Sequence, residues 1–144
     1  MGKWARTGLW GTPPYFADAL PRWPRLYADA IHALAPADGP VLSPCARGHD
    51  RTGIVALLLL ALGGTRPEAI AEDYLLSSRN LEAQDPRSVE RLENALRDHG
   101  ITAYAAIAAA IDVVDDGWLD RAGVRPDAIA ALRDRFSPNA TPSR

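Results

Sequence analysis

The chain has 144 residues, 47% of them hydrophobic and 24% charged, with a formal net charge of -2. That size and composition suit one soluble domain with its own core. The charge balance argues against a general nucleic-acid or polyanion binder, and a single cysteine rules out an internal disulfide or a cysteine-rich zinc site.

The opening MGKWARTGLWGTPPYF has no basic stretch followed by an apolar core, so it reads as no secretory signal. Residues 1–22 mix glycine, proline and tryptophan without clear period and read as an irregular lead-in. Trp23 to Ala35 then carries apolar residues at helical spacing, and Pro36 with the ADGP turn stops it. Val41 and Leu42 read as a short strand. A tight loop around Gly48 follows, then a buried helix from Thr52 to Leu62 that Gly63 and Gly64 end. Its apolar core, Ile54 to Leu62, is about half of the ~20 residues that a membrane span needs. These features point to a cytoplasmic, reduced protein.

Thr65, Pro67 and Glu68 resemble a capping box that opens a helix through AIAEDYLLSS. Asp85 and Pro86 open another, ending at His99 with Gly100 behind it. Ile101 to Val114 is Ala-rich and helical, DDGWLD reads as a turn, and a last helix spans Pro126 to Phe136. The tail, 137–144, is expected to be disordered. His32 and His99 read as structural, the aspartates near 112–120 as solvated or capping, and the tryptophans as packing. The pattern is helix-rich with one strand, and one strand cannot make a sheet. A strand, loop and helix in this order usually belong to a parallel sheet, so either further strands hide in residues 1–22 or part of a larger domain is absent. The expected domain is residues 23–136, α/β and helix-rich, with few strands in a truncated parallel sheet.

Chemistry concentrates in SPCARGHDRTG, residues 43–53. A cysteine nucleophile must be a thiolate near neutral pH, against an ordinary thiol value of about 8.5. The apolar run places the loop at a helix N-terminus, where unpaired N–H groups and the dipole favour an anion. The short gap from Cys45 to Arg51 lets the backbone of Ala46, Arg47, Gly48 and His49 curl into a nest. Arg51 adds a planar guanidinium suited to two phosphate oxygens. Thr52 is placed to give its hydroxyl to the sulfur, and Gly53 lets the helix start pack closely. A leaving alkoxide or phenoxide needs a proton, and Asp50 is the local candidate for that acid. No metal or organic cofactor is called for. On residues alone, Cys45 could equally be a buried small thiol beside a helix.

CARGHDRTG ahead of an apolar helix resembles the cysteine-dependent protein tyrosine phosphatases with the C-x5-R-[ST] signature. The likeness is greatest to a bacterial tyrosine/dual-specificity group whose loop reads HCxAGKDRTG and whose next helix carries a DYLLSN-like segment, here Asp73 to Ser77. A weaker likeness continues through Trp118-Leu119, Gly123, Ile129 and Leu132-Arg133. The resemblance implies a phosphatase acting on phosphorylated protein or a small phosphomonoester. Cys45 would be its nucleophile, Arg51 the phosphate clamp, Asp50 the acid and Thr52 the helper of the thiolate. It implies a phosphate cradle formed by Ala46, Arg47, Gly48, His49 and Gly53.

Three departures stand out. Pro44 replaces a histidine that supports the loop, and His49 replaces a lysine, which counts against phosphoinositide activity. The family's NFRDLGG-like opening and early strands are not found. A catalytically weak phosphate-binding pseudophosphatase and a truncated fragment therefore stay open as alternatives. Asp73 is a candidate brace for the loop, although an ordinary helix position explains it as well.

Overall fold

The computed structural model describes residue 9, residues 12–46 and residues 48–136. Among them are eight helices: α1 (Pro13–Arg22), α2 (Pro24–Leu34), α3 (Asp50–Leu62), α4 (Pro67–Glu82), α5 (Pro86–Asp98), α6 (Ala103–Val113), α7 (Asp116–Ala122) and α8 (Pro126–Arg135). No strand occurs among the described residues, so the expected α/β class with a truncated parallel sheet is corrected to an all-helical fold. Val41 and Leu42 show why. A strand needs a neighbouring edge for its N–H and C=O groups, and helices offer none. Pro40 and Pro44 bracket the segment and have no N–H to give. Val41 and Leu42 lie in open chain, 44% and 88% exposed.

Local sequence explains most helix boundaries. Pro13, Pro24, Pro67, Pro86 and Pro126 each stand in a first turn, where a missing N–H costs nothing. Asp85, Thr102 and Asp115 cap α5, α6 and α7 by accepting from Ser88, Ala105 and Trp118 N–H. The capping box expected at Thr65 does not form. The residue before α4 is Arg66, and Glu68 accepts instead from the Tyr104 hydroxyl at 3.0 Å.

Two elements differ from the sequence reading. Residues 13–22 are helical rather than irregular, because Tyr15, Phe16, Ala19 and Leu20 form one buried stripe that the surrounding prolines obscure. DDGWLD is the start of α7, which Gly123 ends at a φ of 79°. Residues 1–8, 10 and 11 of the expected lead-in, and the expected tail 137–144, lie outside the described residues.

Helix α3 is apolar on every side because neighbours surround it. It packs on α1, α2, α4, α6 and α8, and buries Ile54, Leu57, Leu58 and Leu62. Helix α1 lies along α6, whose small residues Ala106 and Ala110 permit close approach. Trp118 is 1% exposed, and its indole N–H donates to the Leu20 carbonyl at 3.1 Å, tying α7 to α1. His32 accepts from the Arg125 N–H, and the Arg135 guanidinium donates to the carbonyls of Ala37 and Gly39. The two Arg135 bonds hold the chain that leads toward the loop before α3.

Burial of tyrosines makes stability fall at high pH. Burial pushes Tyr27 from 10.0 up to about 12, and burial followed by the Asp50 carboxylate raises Tyr74 as well. Below pH 10 both rings are neutral in either state. Above it the unfolded chain loses protons that the folded chain keeps, so stability drops by up to about 1.4 kcal/mol per pH unit for each tyrosine. Urea melts at pH 9 and 11 should show this decline, and Tyr27→Phe should flatten it.

Candidate active site

The loop is built on the N-terminal end of α3. Chain 40–45 runs in without regular structure, and Cys45 is half-buried. The Gly48 N–H donates to the Cys45 carbonyl at 3.4 Å, which closes a turn. Gly48 has a φ of 65°, in the left-handed region that favours glycine. His49 then occupies the cap position, and the Gly53 N–H returns to its carbonyl at 2.6 Å as α3 begins. A first helical turn leaves its N–H groups without intrahelical partners, so Asp50, Arg51 and Thr52 offer an anion-attracting end.

Thr52 closes the loop from the other side. Its hydroxyl donates to the Ser43 carbonyl at 3.1 Å, tying the residue two before Cys45 to the first turn of α3. The sequence expectation directed that hydroxyl to the sulfur; in this state it serves the backbone. Arg51 is exposed on the same turn, Ala46 and Pro44 are exposed in the loop, and Arg47 lies outside the described residues.

The two ionisable residues beside Arg51 face α4. His49 is only 4% exposed, and its ring stacks on Tyr74 with centroids 4.5 Å apart and planes at 22°. Its Nε2 lies 2.8 Å from the Ser78 hydroxyl, and its Nδ1 lies 3.7 Å from Asp50 Oδ1. The side chain of His49 is thus an inward wedge between the loop and α4. The Tyr74 hydroxyl donates to Asp50 Oδ1 at 3.2 Å. Because Tyr74 is raised by burial and by that carboxylate, it remains a donor at any working pH.

Gly53 is what lets Tyr74 approach. A Cβ there would meet Tyr74 Cε2 at 2.9 Å, inside contact distance. Phe16 of α1 fixes the ring from a third direction, edge-on at 6.1 Å and 87°. A cavity of about 120 Å³ lies alongside, lined by Gly48, Thr52, Gly53, Asp73, Tyr74 and Ser77 among others.

For Asp73 the sequence leaves two readings, a brace of the loop or an ordinary helix position. Asp73 is exposed, and its neighbour Tyr74 makes the contact together with Ser78. The usable signal was periodicity. Ile70, Tyr74 and Ser78 repeat every four residues and share a face, and Ile70 marks it as the buried one. Among the described residues no group of three or more His, Cys, Asp or Glu is placed to hold a metal, and no helix is long and apolar enough to cross a membrane.

A tyrosine-protein phosphatase of Nostoc commune is 40% identical to the chain over 101 residues, covering 69% of this chain and 31% of that protein. The chain thus spans about a third of the length of that curated relative. No solved structure matches it. The model of the tyrosine phosphatase family matches residues 15–137, from α1 through the cysteine loop to the end of α8. With a match over most of its length and the loop inside it, the chain belongs to the tyrosine phosphatase family.

Proposed function

We propose that the chain hydrolyses phosphomonoesters, phosphotyrosine in protein above all, through a phosphocysteine intermediate. The observation that carries this reading is the closed loop. The Cys45–Gly48 turn and the Thr52–Ser43 bond lead a half-buried cysteine directly into the N-terminus of α3, beside an exposed arginine. Membership of the tyrosine phosphatase family supports it.

In the first step the Cys45 thiolate attacks phosphorus in line with the ester oxygen. The S–P bond forms, the P–O bond breaks, and Asp50 gives its proton to the leaving oxygen. The Arg51 fork and the N–H groups of the loop and first helical turn hold the non-bridging oxygens as charge redistributes. In the second step Asp50, now a carboxylate, takes a proton from water. That water attacks phosphorus, the S–P bond breaks, and inorganic phosphate leaves with the thiolate restored. Thr52 assists here by turning its hydroxyl from the Ser43 carbonyl to the departing sulfur. A reducing cytoplasm suits a thiol nucleophile of this kind.

The reading is tested with the purified chain and p-nitrophenyl phosphate in the presence of a chelator. Steady hydrolysis that vanadate inhibits is expected, with phosphotyrosine peptides turned over faster than phosphoserine peptides. A cooperatively folded chain that binds phosphate but yields no product would overturn it in favour of a phosphate-binding, non-catalytic role for the loop.

A further inference from the structure

Helix α4 reaches the first turn of α3 through the Tyr74 hydroxyl. Asp50 stands in the first turn of α3, and the phenol of Tyr74, 24 residues on, donates to its Oδ1 at 3.2 Å. The Tyr74 ring is 4% exposed and held on three sides: by the stacked imidazole of His49, by the edge of Phe16, and by the close approach at Gly53. His49 is fixed in turn by the Ser78 hydroxyl at 2.8 Å. The Asp50 carboxyl is thus tethered to a ring with little freedom to move.

We propose that Tyr74 is a positioning residue for Asp50, fixing the direction of its carboxyl and favouring its ionised form between the two chemical steps. This rests on the reading of Asp50 as the proton donor. The phenol holds Oδ1 and so sets the plane in which the carboxyl presents its proton to the leaving group and later accepts one from water. A hydrogen bond to a carboxylate is stronger than one to the neutral acid. The tether therefore eases proton release in the first step and limits the pH range in which the acid is loaded. Among the described residues, the titratable groups around that carboxyl include His49, with Nδ1 at 3.7 Å, and Tyr74 of α4; Asp73 of α4 lines the adjoining cavity, and Arg51 follows Asp50 in the chain.

The test compares wild type, Tyr74→Phe, Asp50→Asn and the double variant, each across pH and with aryl phosphates of good and poor leaving groups. Phenylalanine keeps the ring, its stack and its packing, and removes only the donor. For Tyr74→Phe the limb of kcat that reports the loaded acid should move to higher pH, by on the order of one unit. Turnover of the poor leaving group should fall about tenfold while KM and p-nitrophenyl phosphate turnover change little. In the Asp50→Asn background the same change should do nothing further. If Asp50→Asn itself leaves the leaving-group dependence unaltered, the acid reading fails. If Asp50→Asn alters it and Tyr74→Phe does not, or if Tyr74→Phe costs as much in both backgrounds, the positioning role alone is overturned. Should Tyr74→Phe fail to fold, wild type carrying 13Cζ-labelled tyrosine gives the answer. The Tyr74 signal should move with the kinetic limb and stay still in Asp50→Asn, and a signal indifferent to that limb overturns the proposal.

Discussion

Cys45→Ser should abolish turnover, by at least about 10^4-fold in kcat, while leaving the fold and phosphopeptide binding in place. A serine hydroxyl is far harder to ionise than a thiol. His49, the nearest imidazole in sequence, is turned inward onto Tyr74 and Ser78. The helix end and Arg51 can lower the cost of an anionic sulfur, but the gap to an alkoxide is too wide for the same groups to close. The substitution exchanges sulfur for oxygen at a half-buried loop position, so stability should stay within about 0.5 kcal/mol. Stopped assays on a phosphotyrosine peptide, together with calorimetric binding of the same peptide, check both halves of this outcome.

Arg51→Lys should lower kcat/KM by on the order of 10^2 to 10^3, and Arg51→Ala by more. Lysine keeps the charge but replaces a flat fork with a point charge, so two oxygens are no longer held in one plane. The loss should appear in binding as well as in turnover, unlike the loss at Cys45. Arg51 is exposed, and its side chain can leave without opening a cavity. Thermal melting should therefore hardly change, and steady-state kinetics beside a melting curve separate the two effects. A variant that melts early would put Arg51 among the structural residues instead.

The loop before α3 was legible in the sequence because the residues that form it are neighbours in the chain. Cys45, Gly48, Asp50, Arg51 and Thr52 lie within eight residues, and the apolar run behind them announces the helix that carries them. The helices that carry clear spacing and a marked start were legible for the same reason, as with Pro24, Asp85 and Pro126. Helix α1 was hidden because three prolines, Pro13, Pro14 and Pro21, look like a broken segment until Phe16 and Leu20 are seen to share a buried side. The strand at Val41–Leu42 was an inference from two apolar residues, and whether such a pair becomes a strand depends on an edge elsewhere. The fold class failed at that point.

The partners of Asp50 and His49 were illegible for a related reason. Tyr74 and Ser78 meet them across an α3–α4 contact, and the pairing depends on the missing Cβ of Gly53. Spacing could assign Tyr74 to a buried face but could not aim its hydroxyl. Thr52 carries the same lesson at shorter range. The sequence directs its hydroxyl to the sulfur, and the structure places it on the Ser43 carbonyl.

The central claim is that phosphate passes through the sulfur of Cys45. Rapid mixing of the chain with a phosphotyrosine peptide, denaturation within the first turnover and mass mapping of the digest address it directly. The account expects one phosphoryl group on the peptide that contains Cys45, lost as free phosphate is released and never formed by Cys45→Ser. Full turnover with no phosphoryl group on Cys45, or with the group on another residue, would contradict it.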